Sequence, residues 1–142
     1  GTAAKRIIWG KFINAGQTCI APDYLLVDQQ IKQPLLDLCK KQIEIFYGDN
    51  PAKSPDYGRI VNQRHFSRLT SFLDNGTVVA GGETHEDSSY IAHTIMDKIT
   101  ILHYTKQNHV AILYGKQVCQ TKQTVIVIIL CICCRNESEQ TD

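Results

Sequence analysis

The sequence predicts an α/β fold, a sheet flanked by helices, and three observations carry the prediction. Apolar residues recur at helical spacing in three segments, short β-branched runs fall between those segments, and Gly, Pro and Asn mark the joins. Ala4, Ile8, Phe12 and Ala15 share one face of a first helix that ends near Gly16. Asp23 to Asp28 is a short apolar run bounded by acids and preceded by Pro22, the pattern of a buried strand. Leu35, Cys39, Ile43 and Phe46 define a second helix over Ile31 to Phe46, with Pro34 in its first turn, and Tyr47 to Pro51 breaks it. Phe66, Leu69 and Leu73 define a third over Gln63 to Leu73, capped by Asn62 and ended by Asn75-Gly76. Thr77–Ala80 and Tyr90–Ile95 read as strands separated by a Gly81-Gly82 turn.

Beyond Thr100 the texture changes. Ile101 to Gln123 has no sustained periodicity, Thr124 to Cys134 is almost continuous β-branched residues and cysteine, and Arg135 to Asp142 has the polar composition of disorder. There is no internal repeat.

A chain of 142 residues suits one domain with a real core. Fifteen Lys plus Arg against fourteen Asp plus Glu leave a formal charge of +1, which gives no electrostatic reason to expect a nucleic-acid partner or an anionic membrane. Six unevenly placed cysteines fit a reduced compartment better than a disulfide framework, so a cytoplasmic location is expected. The apolar run Val125–Cys134 is half of the roughly 20 residues a spanning helix needs, and no membrane span is expected. Gly1-Thr2-Ala3-Ala4 has neither an initiator Met nor a secretory signal, and reads as a cut through a longer protein.

Phe12-Ile13-Asn14-Ala15-Gly16-Gln17-Thr18-Cys19 is the segment richest in chemistry, because it brings a cysteine through a flexible turn directly after a helix. A thiolate presented there is a competent nucleophile, although a lone Cys in a turn is more often structural. Cys39 falls on an apolar helix face and reads as a buried structural thiol. Cys119, Cys131, Cys133 and Cys134, with His103 and His109, match no paired zinc spacing, so no metal site is assigned. His65 and His85 carry no hydrolase signature and read as surface histidines. Gly81-Gly82 lacks the spaced glycines of a dinucleotide fingerprint, so no cofactor-binding residue is assigned. Lys5, Arg6, Lys11, Lys40 and Lys41 read as solvated charges on helical faces.

The pattern Phe-x-Asn-x-Gly-Gln-x-Cys ending at Cys19 resembles the active-site cysteine signature of the aldehyde dehydrogenases. Ile20 to Tyr24 after it, and Arg6-Ile7-Ile8-Trp9-Gly10-Lys11 before it, resemble the class 3 or fatty-aldehyde branch. The likeness continues through Phe46-Tyr47-Gly48, Ser54-Pro55-Asp56-Tyr57, Arg59-Ile60 and Gly81-Gly82-Glu83-Thr84. Residues 1–100 are accordingly expected to form part of an aldehyde dehydrogenase catalytic domain, and residues 101–142 a divergent tail without family resemblance.

The resemblance implies oxidation of small-molecule aldehydes to carboxylic acids with NAD or NADP. Cys19 would form a thiohemiacetal, hydride would leave to the cofactor, and water would hydrolyse the resulting thioester. It also implies an oxyanion hole built partly from the backbone N–H of Cys19, with Asn14, Gly16, Gln17 and Thr18 shaping the turn, and a homodimeric parent enzyme.

The sequence departs from the family pattern in several places. The cofactor domain and the Glu-Leu-Gly-Gly segment with the general base have no counterpart. Asp97-Lys98-Ile99 stands where Glu-Ile-Phe-Gly-Pro belongs, His93 replaces a proline, and Ile101–Asp142 replaces the family's last segment, as frameshift, intron read-through or pseudogene translation would each explain. NAD binding by this chain is therefore not expected. Two rival functions stay open, an inactive remnant and a cysteine-dependent esterase or hydrolase. Thr124 to Ile132, uncharged and β-prone, is expected to pack loosely or add to another chain, so that cutting after Thr100 improves solubility.

Overall fold

The computed structural model describes residues 1–98 and the backbone of residues 124–129. The candidate metal residues from His103 to Cys119 and from Cys131 to Cys134, and the polar end after Arg135, lie outside the described residues.

Helix α1 (Thr2–Phe12) buries Ala4, Ile8 and Phe12 on the stripe their spacing defines, and a 3-10 turn over Ile13–Gly16 follows. Strand β1 (Tyr24–Asp28) leads straight into α2 (Gln29–Tyr47), where the Asp28 carboxylate accepts from the Gln30 N–H at 2.8 Å. That cap starts α2 earlier than the apolar pattern predicts, so Pro34 lies beyond the first turn rather than within it. Its ring leaves the Gln30 carbonyl without an intrahelical donor, and both residues are exposed, so water can serve instead. Helix α2 buries Leu36, Cys39 and Ile43, and leaves Ile31, Leu38 and Ile45 exposed on its other side. Helix α3 (Gln63–Thr70) has the expected cap, Asn62 Oδ1 accepting from the His65 N–H at 2.9 Å, and buries Phe66 and Leu69.

The remaining strands are β2 (Thr77–Ala80), β3 (Thr84–His85), β4 (Tyr90–Ile91), β5 (Ile95–Asp97) and β6 (Thr124–Ile129). They form a four-stranded sheet in the order β1-β6-β5-β2, antiparallel throughout, and a small β3-β4 hairpin. The single strand expected over Tyr90–Ile95 is thus two, broken at Ala92–Thr94. The break arises because that stretch bonds to the Gly81-Gly82 turn and its flank: Ala92 N–H donates to Glu83 O, Gly82 N–H to Thr94 Oγ1, and Thr94 Oγ1 to Ala92 O. Gly81 adopts φ +71, and a Cβ there would lie 2.3 Å from the His93 carbonyl oxygen, so both backbone angle and space require glycine.

The tail strand also departs from expectation. Instead of packing loosely or seeking another chain, β6 lies between β1 and β5, with Tyr24 opposite Ile128 and Asp97 opposite Val127. Two strand edges inside the chain meet the same uncharged, β-branched run that would otherwise seek one outside. Helix α2 is tied to this sheet by Lys32 Nζ, 2.7 Å from Asp97 Oδ2. Burial pushes the Asp97 carboxyl pKa up, but hydrogen bonds from Lys32 and the Lys98 backbone outweigh it and hold the pKa below its ordinary value. One core joins α1, β1 and α2 through Ile8, Phe12, Val27, Leu36 and Cys39, and a smaller one gathers Ile60, Phe66, Leu69, Ile91 and Met96.

Candidate active site

Three consecutive residues after α1 are left-handed: Asn14 (φ 52), Ala15 (φ 53) and Gly16 (φ 79). Glycine takes this conformation readily and asparagine occasionally, whereas a residue such as Ala15 held there costs on the order of 1–2 kcal/mol, which contacts of the turn must offset. The segment 57–61 packs against this turn: a Cβ on Gly58 would be in ordinary van der Waals contact, 3.6 Å from the Asn14 carbonyl carbon and 3.7 Å from Ala15 Cβ.

Gln17 then clamps the turn to the same segment. Its Nε2 donates to Asn14 O at 3.0 Å and to Arg59 O at 2.9 Å, while its Oε1 accepts from the Val61 N–H at 3.0 Å. The primary amide thereby imitates a strand neighbour, pairing with a donor and an acceptor two residues apart. Segment 57–61 is itself held: Tyr57 Oη donates to Ile91 O, Ile60 N–H to Ser89 O, and the Arg59 guanidinium to the carbonyls of Ala52, Tyr57 and Gly58. The guanidinium also lies 5.0 Å over the Tyr90 ring.

Beyond the clamp, Ala21 N–H donates to Thr18 O at 3.0 Å, which closes a tight turn with Cys19 and Ile20 at its two central positions. Both are exposed, Ile20 to 86 %. Among the described residues, the backbone N–H of Cys19 has no hydrogen-bond partner. An accessible thiol beside an unengaged N–H is suited to attacking a carbonyl carbon and holding the oxygen that gains charge. Of the residues singled out with Cys19, Gln17 bonds to Asn14, Gly16 carries a positive φ between them, and Thr18 closes the turn that holds Cys19.

Cys39, 2 % exposed on the buried face of α2, has the opposite setting, and burial raises its pKa. His65 lies 3.5 Å from Arg68, and His85 stacks 5.5 Å from the Tyr90 ring, so each has a contact of its own. Among the described residues no group of three His, Cys, Asp or Glu could hold a metal ion.

The reading of Lys11 as a solvated charge is corrected. It is fully buried, with Nζ 3.4 Å from Asp23 Oδ1, whereas Lys5, Arg6 and Lys41 are exposed. Lys11 falls three residues after Ile8 and seven after Ala4, on the apolar stripe itself, and that spacing could have revealed it. His93 is equally unexpected. It is 2 % exposed, packed against Phe12, Tyr47 and Tyr57 at ring distances of 4.6, 4.1 and 3.7 Å, and neither ring nitrogen has a hydrogen-bond partner. Burial lowers its pKa to about 3.

Comparison with known proteins adds lineage to this geometry. The family described as the aldehyde dehydrogenase family matches residues 1–108. The chain is 50 % identical over 100 residues to the 4,4'-diaponeurosporen-aldehyde dehydrogenase of Staphylococcus aureus, a match covering 69 % of this chain and 22 % of that protein. It is 49 % identical over 94 residues to the dimeric NADP-preferring aldehyde dehydrogenase of Rattus norvegicus, covering 66 % of this chain and 21 % of the relative. A solved structure, the substrate bound state of Staphylococcus aureus AldH, superposes with a TM-score of 0.67 at 49 % identity, over 69 % of this chain and 22 % of that one. The chain therefore spans about a fifth of the length of these relatives.

Proposed function

Because the chain belongs to the aldehyde dehydrogenase family, we propose that it is the nucleophile-bearing part of an enzyme that oxidises aldehydes to carboxylic acids, with Cys19 as the attacking group. The observation that carries this reading is the Thr18–Ala21 turn, whose exposed Cys19 presents a thiol beside an N–H with no partner among the described residues.

This chain's part is covalent. The Cys19 thiolate attacks the carbonyl carbon, a C–S bond forms, and the carbonyl electron pair moves to oxygen, which accepts from the Cys19 N–H. At the thioester stage water attacks the same carbon, the C–S bond breaks, and the acid and thiol are released. Asn14, Gly16, Gln17 and Thr18 do not react; they set the direction of the sulfur and the amide.

The parent enzyme's electron acceptor is NAD or NADP, in keeping with the relative named NADP-preferring. The described residues do not fit a dinucleotide. Gly81-Gly82 leads into β3 rather than a helix, and its close approach is made to the His93 backbone. No step of hydride transfer is therefore assigned to them. The parent is further read as a cytoplasmic homodimer acting on small-molecule aldehydes, without a nucleic-acid partner. Among the described residues no helix is long and apolar enough to cross a membrane.

A second reading, a cysteine-dependent esterase, draws on the same turn, since acyl transfer from an ester needs no electron acceptor. Incubating the full chain with p-nitrophenyl acetate, and separately with an aldehyde plus NAD⁺, tests these readings. An acetyl group on Cys19, located by mass spectrometry and lost in Cys19→Ser, is the expected result. Acylation of a different residue would overturn the assignment. Repeated turnover of the ester favours the esterase, NADH formation from the aldehyde would show a dinucleotide site in the chain after all, and a thiol inert in both assays leaves an inactive remnant.

A further inference from the structure

We propose that the buried Lys11–Asp23 ion pair is a positioning device for Cys19, a staple across the neck of the loop that carries it; the proposal rests on the reading of Cys19 as nucleophile. Lys11 is the largest fully buried side chain, on the stripe where α1 otherwise places Ala4, Ile8 and Phe12. A methionine or leucine would fill that position without the cost of desolvating an ammonium, which is tolerated only where a partner is supplied. The partner is Asp23, its Oδ1 3.4 Å from Lys11 Nζ.

The placement of the two residues gives the pair its meaning. Lys11 lies in the last turn of α1, and Asp23 immediately precedes β1. Between them runs the whole loop 13–22, with its three left-handed residues and Cys19. Gly10 faces Pro22 at the same neck, close enough that a Cβ on Gly10 would be 3.8 Å from Pro22 Cδ. Gln17 anchors the crown of the loop to Arg59 O and the Val61 N–H. A loop anchored only at its crown can swivel about that anchor; a second anchor at the neck fixes the direction in which Cys19 and its N–H point.

The test compares two reactions of Cys19 in the full chain. Iodoacetamide alkylation forms a C–S bond at a saturated carbon, expels iodide and creates no oxyanion. Acetylation by p-nitrophenyl acetate forms a C–S bond at a carbonyl, passes through an oxyanion and expels p-nitrophenolate, so it depends on where the turn holds its N–H. Lys11→Met and Asp23→Asn should each lower the acetylation rate about tenfold while alkylation changes by less than about twofold, as a small misplacement does. Lys11→Arg should restore most of the loss.

An unchanged ratio of the two rates in both variants overturns the proposal. Protection of Cys39 from alkylation reports that a variant is folded, and Asp23→Asn, on a partly exposed side chain, carries the test if Lys11→Met fails to fold. Should the wild-type thiol acetylate no faster than N-acetylcysteine, the functional reading falls, and amide exchange over 13–22 judges the staple alone. Exchange at least about tenfold faster in Asp23→Asn supports it, and unchanged exchange refutes it.

Discussion

Cys19 and Cys39 are thiols of one domain placed by opposite means. Cys39 occupies a regular helix, on a face whose spacing hides it beneath α1 and the sheet, and burial raises its pKa. Cys19 sits past three left-handed residues, in a turn closed by the Ala21 N–H to Thr18 O bond, anchored through the neighbouring Gln17 amide and exposed to solvent at Cys19. Burial of the one follows from regular structure; exposure of the other requires regular structure to be interrupted and the interruption held rigid. That contrast can be broken in four places.

The largest effect is expected in native labelling. With limiting iodoacetamide Cys19 should react at least about a hundredfold faster than Cys39, because the latter must wait for its helix to open, and the rates should converge in denaturant. Peptide mapping decides it, and preferential native labelling of Cys39 would remove the contrast.

Acid should narrow the difference next. The His93 pKa of about 3 in the folded chain lies below its ordinary 6.5, so the unfolded chain takes up the proton first. Stability is then lost as pH falls below 6.5, by about 1.4 kcal/mol per pH unit, until the loss saturates near pH 3. The titratable groups packed on His93, Tyr47 and Tyr57, do not offset this, because their pKa values are raised and they stay neutral there; Asp97, paired with Lys32 elsewhere, adds a loss of its own only below the ordinary carboxylate range. His93 packs on Phe12 and Tyr47, at the ends of α1 and α2, so its protonation loosens the cover over Cys39. Between pH 7 and pH 5 the chain should lose about 2 kcal/mol by denaturant titration, and His93→Phe should flatten that slope. An equal slope in the variant would show that another group is responsible.

Cutting the chain after Thr100 should act in the same direction, more weakly. It removes β6 and leaves facing edges of β1 and β5 unpaired. Cys39 labelling should rise about tenfold, equivalent to about 1.4 kcal/mol of lost protection, and light scattering should increase. This reverses the outcome that composition alone suggests. Unchanged scattering and protection would mean that β6 contributes nothing to the sheet.

The smallest expected effect is at the clamp. Gln17→Ala leaves Arg59 O and the Val61 N–H without their partner and should cost about 1 kcal/mol in a thermal melt. Gln17→Glu should cost more, because a carboxylate would face the carbonyl oxygens of Asn14 and Arg59. If Glu is tolerated as well as Ala, the amide is not acting as a two-sided clamp.

The helices and the cysteine turn were legible because they rest on local pattern. Ala4, Ile8 and Phe12 fix the face of α1, Asn62 caps α3, and the motif ending at Cys19 marks the turn. What escaped depends on partners distant in sequence. Nothing near Gln17 says that its amide reaches residues 59 and 61, and nothing near Thr94 says that its hydroxyl bonds Gly82 and divides a strand. Lys11 was the exception, legible from its position on the stripe but read by its charge. Ala15 was illegible for another reason: its left-handed backbone contradicts its own preference, whereas Asn14 is of a type that tolerates that region.

The position of β6 also sets a timetable. Tyr24 pairs with Ile128, about a hundred residues later in the chain, and a ribosome adding roughly 5–20 residues per second needs about 5–20 s to cover that distance. Until then β1 has been made but its neighbour has not, and the sheet cannot close however well α1 and α2 have packed. Contacts of such long sequence separation are also slow to form by diffusion. The nascent chain therefore passes through an interval in which an apolar strand edge is on offer to any other unfinished chain nearby, and its yield should depend on translation speed and on chaperones that occupy open strand edges.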